Sequence, residues 1–293
     1  MAGTNASEQG KIQRWQIGDV RITKVTEIEM PGPASWIVPD ATPENLARET
    51  WLQPHFADAQ GMAVMSVHAL VVESCGQKIV VDTCVGNDKD LNLPNWKQRT
   101  GPFLEDLREA GHDPDSVDTV LCTHLHVDHV GWNTRWQDGR WLPTFGNARY
   151  LFEKSEIEHW EKFDQKDFGE VMAESVAPVV EAGLVDRVGS DHVVTDEVRL
   201  QPTPGHTPGH VSVCISSQGE RAVITGDLMH HPVQCAHPDW GSSADWQGEM
   251  AAETRRGFLE QHADTPTLII GTHFATPTAG RIVRDGSVYR FAV

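Results

Sequence analysis

The segment Thr123-His124-Leu125-His126-Val127-Asp128-His129 constrains this chain more than any other. It gathers four side chains able to ligate a metal, three of them imidazoles. Imidazole nitrogen and carboxylate oxygen are the donors a borderline cation such as zinc selects. Val117-Asp118-Thr119-Val120-Leu121-Cys122, just before them, is a short β-branched apolar run and reads as a buried strand. The donors therefore sit at the end of a strand, where an α/β protein places its chemistry. Residues two apart in an extended chain share a face, so His124 and His126 can grip one ion together. Asp128 and His129 follow where the chain must turn, and can face a second ion.

Three later segments repeat the arrangement of a donor at a strand tip. Thr203-Pro204-Gly205-His206-Thr207-Pro208-Gly209-His210 is a turn stiffened by proline and glycine, able to hold an imidazole in one orientation. Ile224-Thr225-Gly226-Asp227 ends in a carboxylate, and Ile269-Ile270-Gly271-Thr272-His273 in an imidazole.

The remaining chain supplies strands and helices around these tips. Trp15 to Val25 reads as two strands about a Gly18-Asp19 turn, and residues 63–73 and 78–82 as a hairpin about Ser74 to Gln77. Phe103 to Ala110 reads as a helix closed by Gly111. Ser155 with Glu158 resembles a capping box. Further helices are expected at 168–181, with Pro178 marking a kink or restart, and at 243–261. The segment from Pro31 to Gly61 carries five prolines and reads as an irregular arm with a short helix near 44–51. It is expected to cover the site or to meet a second chain, giving a homodimer. Residues 1–12 read as a disordered tail, and 13–293 as one domain with 31–61 as its arm. Two β-rich halves, each ending in helix, suggest two sheets sandwiched between helices.

His124-Leu125-His126-Val127-Asp128-His129, the Gly205-His206-Thr207-Pro208-Gly209 turn, Gly226-Asp227 and Gly271-Thr272-His273, in this order, resemble the metallo-β-lactamase superfamily. The resemblance runs from about Ala63 onward. It implies an α/β fold, the αββα sandwich of two mixed β-sheets flanked by helices. It also implies that His124, His126 and His206 hold a first metal, that Asp128, His129 and His273 hold a second, and that Asp227 bridges them. The ions would be two divalent metals, zinc by expectation, with manganese, cobalt or iron as alternatives. Two cations about 3.5–4 Å apart need anionic bridges, here a carboxylate and a hydroxide, and the hydroxide can attack a carbonyl or phosphoryl centre. Asp128 and Asp227 are accordingly the catalytic carboxylates.

Other residues are candidates for supporting parts. Asp82 ends the strand Ile79-Val80-Val81 and can orient a metal-bound imidazole from behind. His210 reads as a packing or supporting residue. His230 and His231 follow the bridging carboxylate, and Trp132 follows the cluster by three residues; all three are candidate substrate contacts. Tryptophans at 51, 96, 136, 141, 240 and 246 fall in expected loops or element ends and could wall an apolar pocket.

Composition narrows the substrate. The formal net charge is −18, from 24 basic and 42 acidic residues, which repels a phosphate backbone; no nucleic-acid partner is expected. No apolar run is long enough for a bilayer, and the first ten residues lack a signal peptide's apolar core, so a cytoplasmic protein with no membrane partner is expected. Five scattered cysteines give neither a disulfide framework nor a zinc knuckle. Within the superfamily, the turn at 203–209, Gly226 to His230 and the long arm are more similar to the lactonase and organophosphate-hydrolase branch. A small neutral ester is the expected substrate, most of all a lactone of the acyl-homoserine type. Phosphotriester or β-lactam hydrolysis is the alternative, and iron-dependent redox chemistry the non-hydrolytic one. The branch commonly sets a tyrosine beside the metals, whereas this chain has only Tyr150 and Tyr289.

Overall fold

The expected strands form two seven-stranded sheets, and the reason the ligands meet lies in the directions those strands run. The computed structural model describes residues 11–163 and 165–293. In chain order the strands are β1 (Ile12–Ile17), β2 (Val20–Gly32), β3 (Ala63–Ser74), β4 (Gln77–Val81), β5 (Thr119–Leu121), β6 (Thr134–Gln137), β7 (Arg140–Pro143), β8 (Arg149–Glu153) and β9 (Val185–Val188). The second half supplies β10 (Val193–Thr195), β11 (Val198–Pro202), β12 (Val211–Ser217), β13 (Glu220–Ile224), β14 (Leu268–Ile270), β15 (Ala279–Asp285) and β16 (Val288–Ala292). The first sheet has the order β1-β2-β3-β4-β5-β8-β9 and the second runs β10 through β16, while β6 and β7 form a separate hairpin. Both sheets are mixed: β4-β5-β8-β9 pair in parallel in the first, β13-β14 in the second.

Alternation along the strands builds four layers. Leu70, Val72, Ile79 and Val81 face Leu200, Val213, Ala222 and Ile224 between the sheets. Their neighbours Ala69, Val71 and Val80 face outward and bury Phe103 and Leu107 of a helix at Phe103–Glu109. On the far side Val223, Ile269 and Ile282 bury Phe258 and Leu259 of the helix Gly248–His262. The period-two pattern thus gives each sheet two apolar faces, each needing a cover. The αββα sandwich is the observed architecture.

The arm packs on the second sheet. Leu46, Leu52 and Phe56 are buried with Phe274 and Phe291. Its helix is shorter than expected, Pro43–Leu46 with the Thr42 hydroxyl accepting from the Asn45 amide, followed by a turn at Thr50–Leu52. Residues 1–10 of the expected tail lie outside the described residues; Ile12 belongs to β1, so the domain starts earlier than expected.

Two helix starts differ from the reading, each for a local reason, and the helix break expected at Pro178 is present. The helix Lys154–Phe163 is capped by Glu153, whose carboxylate accepts from the Glu156 amide at 2.9 Å and the Ser155 hydroxyl at 2.5 Å. Ser155 is therefore not the cap. Pro178 cannot donate to the Glu174 carbonyl, and the chain widens at Met172–Val176 before the helix Ala177–Glu181. The freed Glu174 carbonyl accepts instead from Lys89 Nζ (3.1 Å) and the Thr134 hydroxyl (2.5 Å). The last long helix begins at Gly248 rather than 243, because the amides of Trp246 and Gln247 bond to the carbonyls of His206 and Gly205. No helix among the described residues is long and apolar enough to cross a membrane.

Candidate metal centre

Every donor picked out in the sequence lies beyond the carboxyl end of a strand. β4 and β5 are parallel and lead to Asp82 and the 124–129 segment. β11 and β13 are both antiparallel to β12, and β14 is parallel to β13, so all three run the same way. They lead to His206, Asp227 and His273. One edge of the sandwich therefore collects all seven side chains.

They converge in two groups, His124-His126-His206-Asp227 and Asp128-His129-His273, with donor atoms of each group within 4.8 Å of one another. In the first group His126 Nδ1 lies 3.1 Å from His124 Nε2 and 2.9 Å from His206 Nε2. For zinc–nitrogen bonds of about 2.0–2.1 Å, tetrahedral ligands stand roughly 3.3 Å apart, close to this spacing. Asp227 lies between the groups. Its Oδ2 is 3.4 Å from His206 Nε2 and its Oδ1 is 3.3 Å from His129 Nε2 and 3.1 Å from His273 Nε2.

The chemistry of this donor set fits two divalent cations. Burial pushes His124, His126 and His206 well below the ordinary imidazole range, so each is neutral with a single ring proton. His206 directs Nδ1 at the Asp245 carboxylate, at 2.8 Å, and so turns a bare lone pair toward His126. Among the described residues, both ring nitrogens of His129 and Asp227 Oδ1 are buried without a hydrogen-bond partner. In the second group burial opposes charge, but Asp227 and Asp128 outweigh it and lift His273 to about 9. Asp227, Asp128 and Asp82 likewise lift His129 well above the ordinary range. Burial would raise Asp227, yet the imidazoles of His129, His273, His230 and His124 hold it well below the usual carboxylate range. This is a pocket built to hold positive charge.

Around the groups, buried oxygens stand against the outer edges of the rings. His273 Nδ1 donates to the Ser66 carbonyl at 2.9 Å, and Asp82 Oδ2 lies 3.0 Å from His129 Nδ1. His210 lies behind the carboxylate: its Nε2 accepts the Asp227 amide at 2.8 Å while Nδ1 donates to the Thr203 carbonyl at 2.9 Å. Gly226 makes this possible. It has φ +56, and a β-carbon there would press into the His210 ring. The buried Glu156 ties two ligand-bearing loops together, accepting from the Leu125 and Gly209 amides at 3.0 Å each.

A cavity of about 400 Å³ opens onto the groups. His126, Asp128, His206, Asp227, His230 and His273 form its polar floor. Ile28, Trp36, Leu93, Trp96 and Phe168 supply apolar wall. The arm thus covers the site from Pro31 to Ile37, and Trp36 meets Trp96 edge-on at 6.2 Å between ring centres.

The candidate substrate contacts separate. His230 lines the cavity, with Nε2 3.2 Å from Asp227 Oδ2. His231 turns away; its Nε2 donates to the Phe56 carbonyl at 2.7 Å, pinning the arm. Trp132 is not on the cavity wall. It is buried in the helix-side core, stacked on Phe103, and its indole donates to Glu27 at 2.8 Å. Trp96 is the loop tryptophan of the expected set that reaches the cavity, joined by Trp36. Trp136 and Trp141 instead pack on each other in the β6-β7 hairpin. Tyr150 is also core, its hydroxyl donating to the Asn133 carbonyl and accepting from the Phe145 amide. Asp245, Glu156 and Glu27 went unmarked in the sequence, since an isolated carboxylate carries no spacing signal.

Comparison with known proteins agrees with this geometry. The family model of the metallo-beta-lactamase superfamily matches residues 62–252. The N-acyl homoserine lactonase AiiA of Bacillus thuringiensis subsp. kurstaki is 28% identical over 121 residues, 40% of either chain. The N-acyl homoserine lactonase AiiB of Agrobacterium fabrum is 23% identical over 174 residues, 55% of this chain and 58% of that protein. This chain thus spans well under two thirds of the length of these curated relatives. Among solved structures, AidC, a dizinc quorum-quenching lactonase, superposes with TM-score 0.77 at 22% identity, covering 96% of each chain. The hydrolase AbOPH superposes with TM-score 0.78 at 24% identity, covering 97% of each.

Proposed function

Since this chain belongs to the metallo-β-lactamase superfamily, we propose that it is a dinuclear metal-dependent hydrolase that opens a neutral ester, above all a lactone. One observation carries the reading: Asp227, which belongs to the first ligand group, also stands 3.3 Å from His129 Nε2 and 3.1 Å from His273 Nε2 of the second, at the floor of a cavity whose walls are largely apolar. Zinc is the metal proposed, supported by the nitrogen-rich donor set and by a dizinc neighbour of the same fold.

Bound divalent ions would supply Lewis acidity and bring the pKa of a water towards about 7, giving a nucleophile at neutral pH. The protein's own residues do the rest. Asp128, on the cavity floor with its side chain 13% exposed, accepts the proton of the attacking water and returns it to the leaving oxygen. Water adds its oxygen to the carbonyl carbon, the acyl C–O bond breaks, and a lactone yields a hydroxy acid. His230 faces the same space and serves as the polar contact for the substrate's oxygens. The wall of Ile28, Trp36, Leu93, Trp96 and Phe168 excludes water and holds an apolar acyl group. A lactone suits this site because its leaving oxygen stays tethered to the acyl group. AidC, solved with N-hexanoyl-L-homoserine as product, and the N-acyl homoserine lactonases among the relatives support the substrate class.

A homodimer belongs to this reading, supported by Met30 and Trp36, half-exposed on and beside the arm; sedimentation at micromolar concentration tests it. The deciding experiment is a screen of the metal-loaded protein against an acyl-homoserine lactone, aryl esters, phosphotriesters and a cephalosporin. Lactone turnover should be lost with chelator and restored by zinc. Negligible lactone and aryl-ester turnover, with efficient hydrolysis of a phosphotriester or cephalosporin, would overturn the substrate assignment.

A further inference from the structure

We propose that Asp245 is a positioning residue for the first ligand group, holding the His206 ring and supplying that group's outer negative charge. The inference rests on the metal-binding reading of these side chains.

Asp245 Oδ1 lies 2.8 Å from His206 Nδ1, and the two side chains are 1% and 2% exposed. A carboxylate only accepts, so Nδ1 carries the ring proton and Nε2 is left as the lone pair directed into the group. The contact selects both the tautomer and the ring angle.

The carboxylate is itself held. Its Oδ2 accepts the Ser242 amide at 2.9 Å and faces the buried Arg255 guanidinium at 3.9 Å. Arg255 Nε donates in turn to the Leu228 carbonyl at 2.8 Å, in the turn that carries Asp227. One carboxylate thereby stands between the His206 turn and the tip of β13. The 242–247 loop adds backbone ties. Trp246 and Gln247 donate to the carbonyls of His206 and Gly205 at 2.9 Å each, and Ser243 donates to the Ile37 carbonyl of the arm at 2.8 Å. Asp245 cannot drift from the ring without breaking a clasp between the metal-binding turn and the cavity roof.

Among the described residues the first group has no substitute for it. His124 Nδ1 meets only the neutral Thr123 hydroxyl, at 3.1 Å. Among the described residues, Asp245 is the only carboxylate other than Asp227 within ion-pair distance of His124, His126 or His206. The second group has its own outer carboxylate, Asp82 on His129. Loss of Asp245 should therefore weaken one metal position and spare the other.

The test compares the metal-loaded wild type with Asp245→Asn, Asp245→Ala and, as control, Asp239→Asn, an exposed carboxylate paired with Arg256 of the helix Gly248–His262. Each is titrated with a competing chelator, bound metal is counted, and thermal unfolding of the stripped protein is recorded. In Asp245→Ala one of the two metals should leave about 10–100-fold more readily, with the other unchanged. Asp245→Asn, which keeps an acceptor but loses the charge, should show a smaller loss at the same position and decides the matter if the alanine variant does not fold. Wild-type affinity at both positions in the asparagine variant would overturn the proposal. So would equal weakening of both positions alongside a lowered melting temperature of the stripped protein, the mark of a merely structural role. A wild type that binds no metal would instead remove the metal reading itself.

Discussion

Asp82 Oδ2 stands 3.0 Å from His129 Nδ1 while Asp82 Oδ1 accepts the Thr123 amide at 2.8 Å. One carboxylate at the end of β4 thus stands at ion-pair distance from a ring of the second ligand group and pins the start of the segment that carries the first. Its backbone is left-handed, φ +57, a conformation few side chains tolerate and aspartate accepts better than most. The placement is used, since the side chain reaches both partners from there.

Asp82→Ala should accordingly weaken metal binding about 10–100-fold at the second position. Chelator titration followed by elemental analysis reads this directly. Unchanged retention of both metals would show that His129 needs no such support.

His206→Ala and His210→Ala should differ in kind. The first removes a donor and should leave a protein that holds one metal. The second keeps all seven donors but strands the buried Asp227 amide, which costs about 1–3 kcal/mol of stability. Metal counts together with melting temperatures separate the two, and matching losses of metal would mean the roles are misassigned.

Acid should weaken the fold through His231. Burial pushes this imidazole down to about 4, against an ordinary value near 6.5. Its Nε2 proton goes to the Phe56 carbonyl, and its Nδ1 accepts the Val233 amide at 3.2 Å, so a second ring proton has no acceptor. The folded state binds this proton less readily than the unfolded chain. Its contribution is therefore fully present above pH 6.5 and is lost as pH falls towards 4, about 3 kcal/mol in all. Denaturant unfolding between those limits should show a steeper pH slope for wild type than for His231→Gln; identical slopes would rule the residue out.

Trp36→Ala should raise KM for long-chain apolar lactones about tenfold, equivalent to about 1.4 kcal/mol, and leave short-chain substrates little affected. Trp36 is half-exposed at the cavity mouth, so stability should change by no more than about 0.5 kcal/mol. Steady-state kinetics over a series of acyl lengths checks this. A uniform loss at every length would place the tryptophan's role elsewhere.

The sequence determined which donor side chains gather at one edge, and it determined the layers. Donors two apart after an apolar run, and single donors after three further runs, could be read because strand tips and histidine spacing are local properties. The four layers followed from alternation such as Leu70-Val71-Val72, where one residue faces the other sheet and the next faces a helix. Tertiary structure decided what lies behind and above those donors. Trp132 and Trp96 look alike as loop tryptophans, yet one is stacked on Phe103 in the core and the other walls the cavity. His230 and His231 are neighbours in sequence, yet one faces the cavity and the other holds the arm. Asp245 is separated from His206 by 39 positions, and nothing in its own segment announces the contact. Such roles depend on which distant backbone arrives beside a side chain, and that is fixed by sheet order and packing rather than by any pattern along the chain.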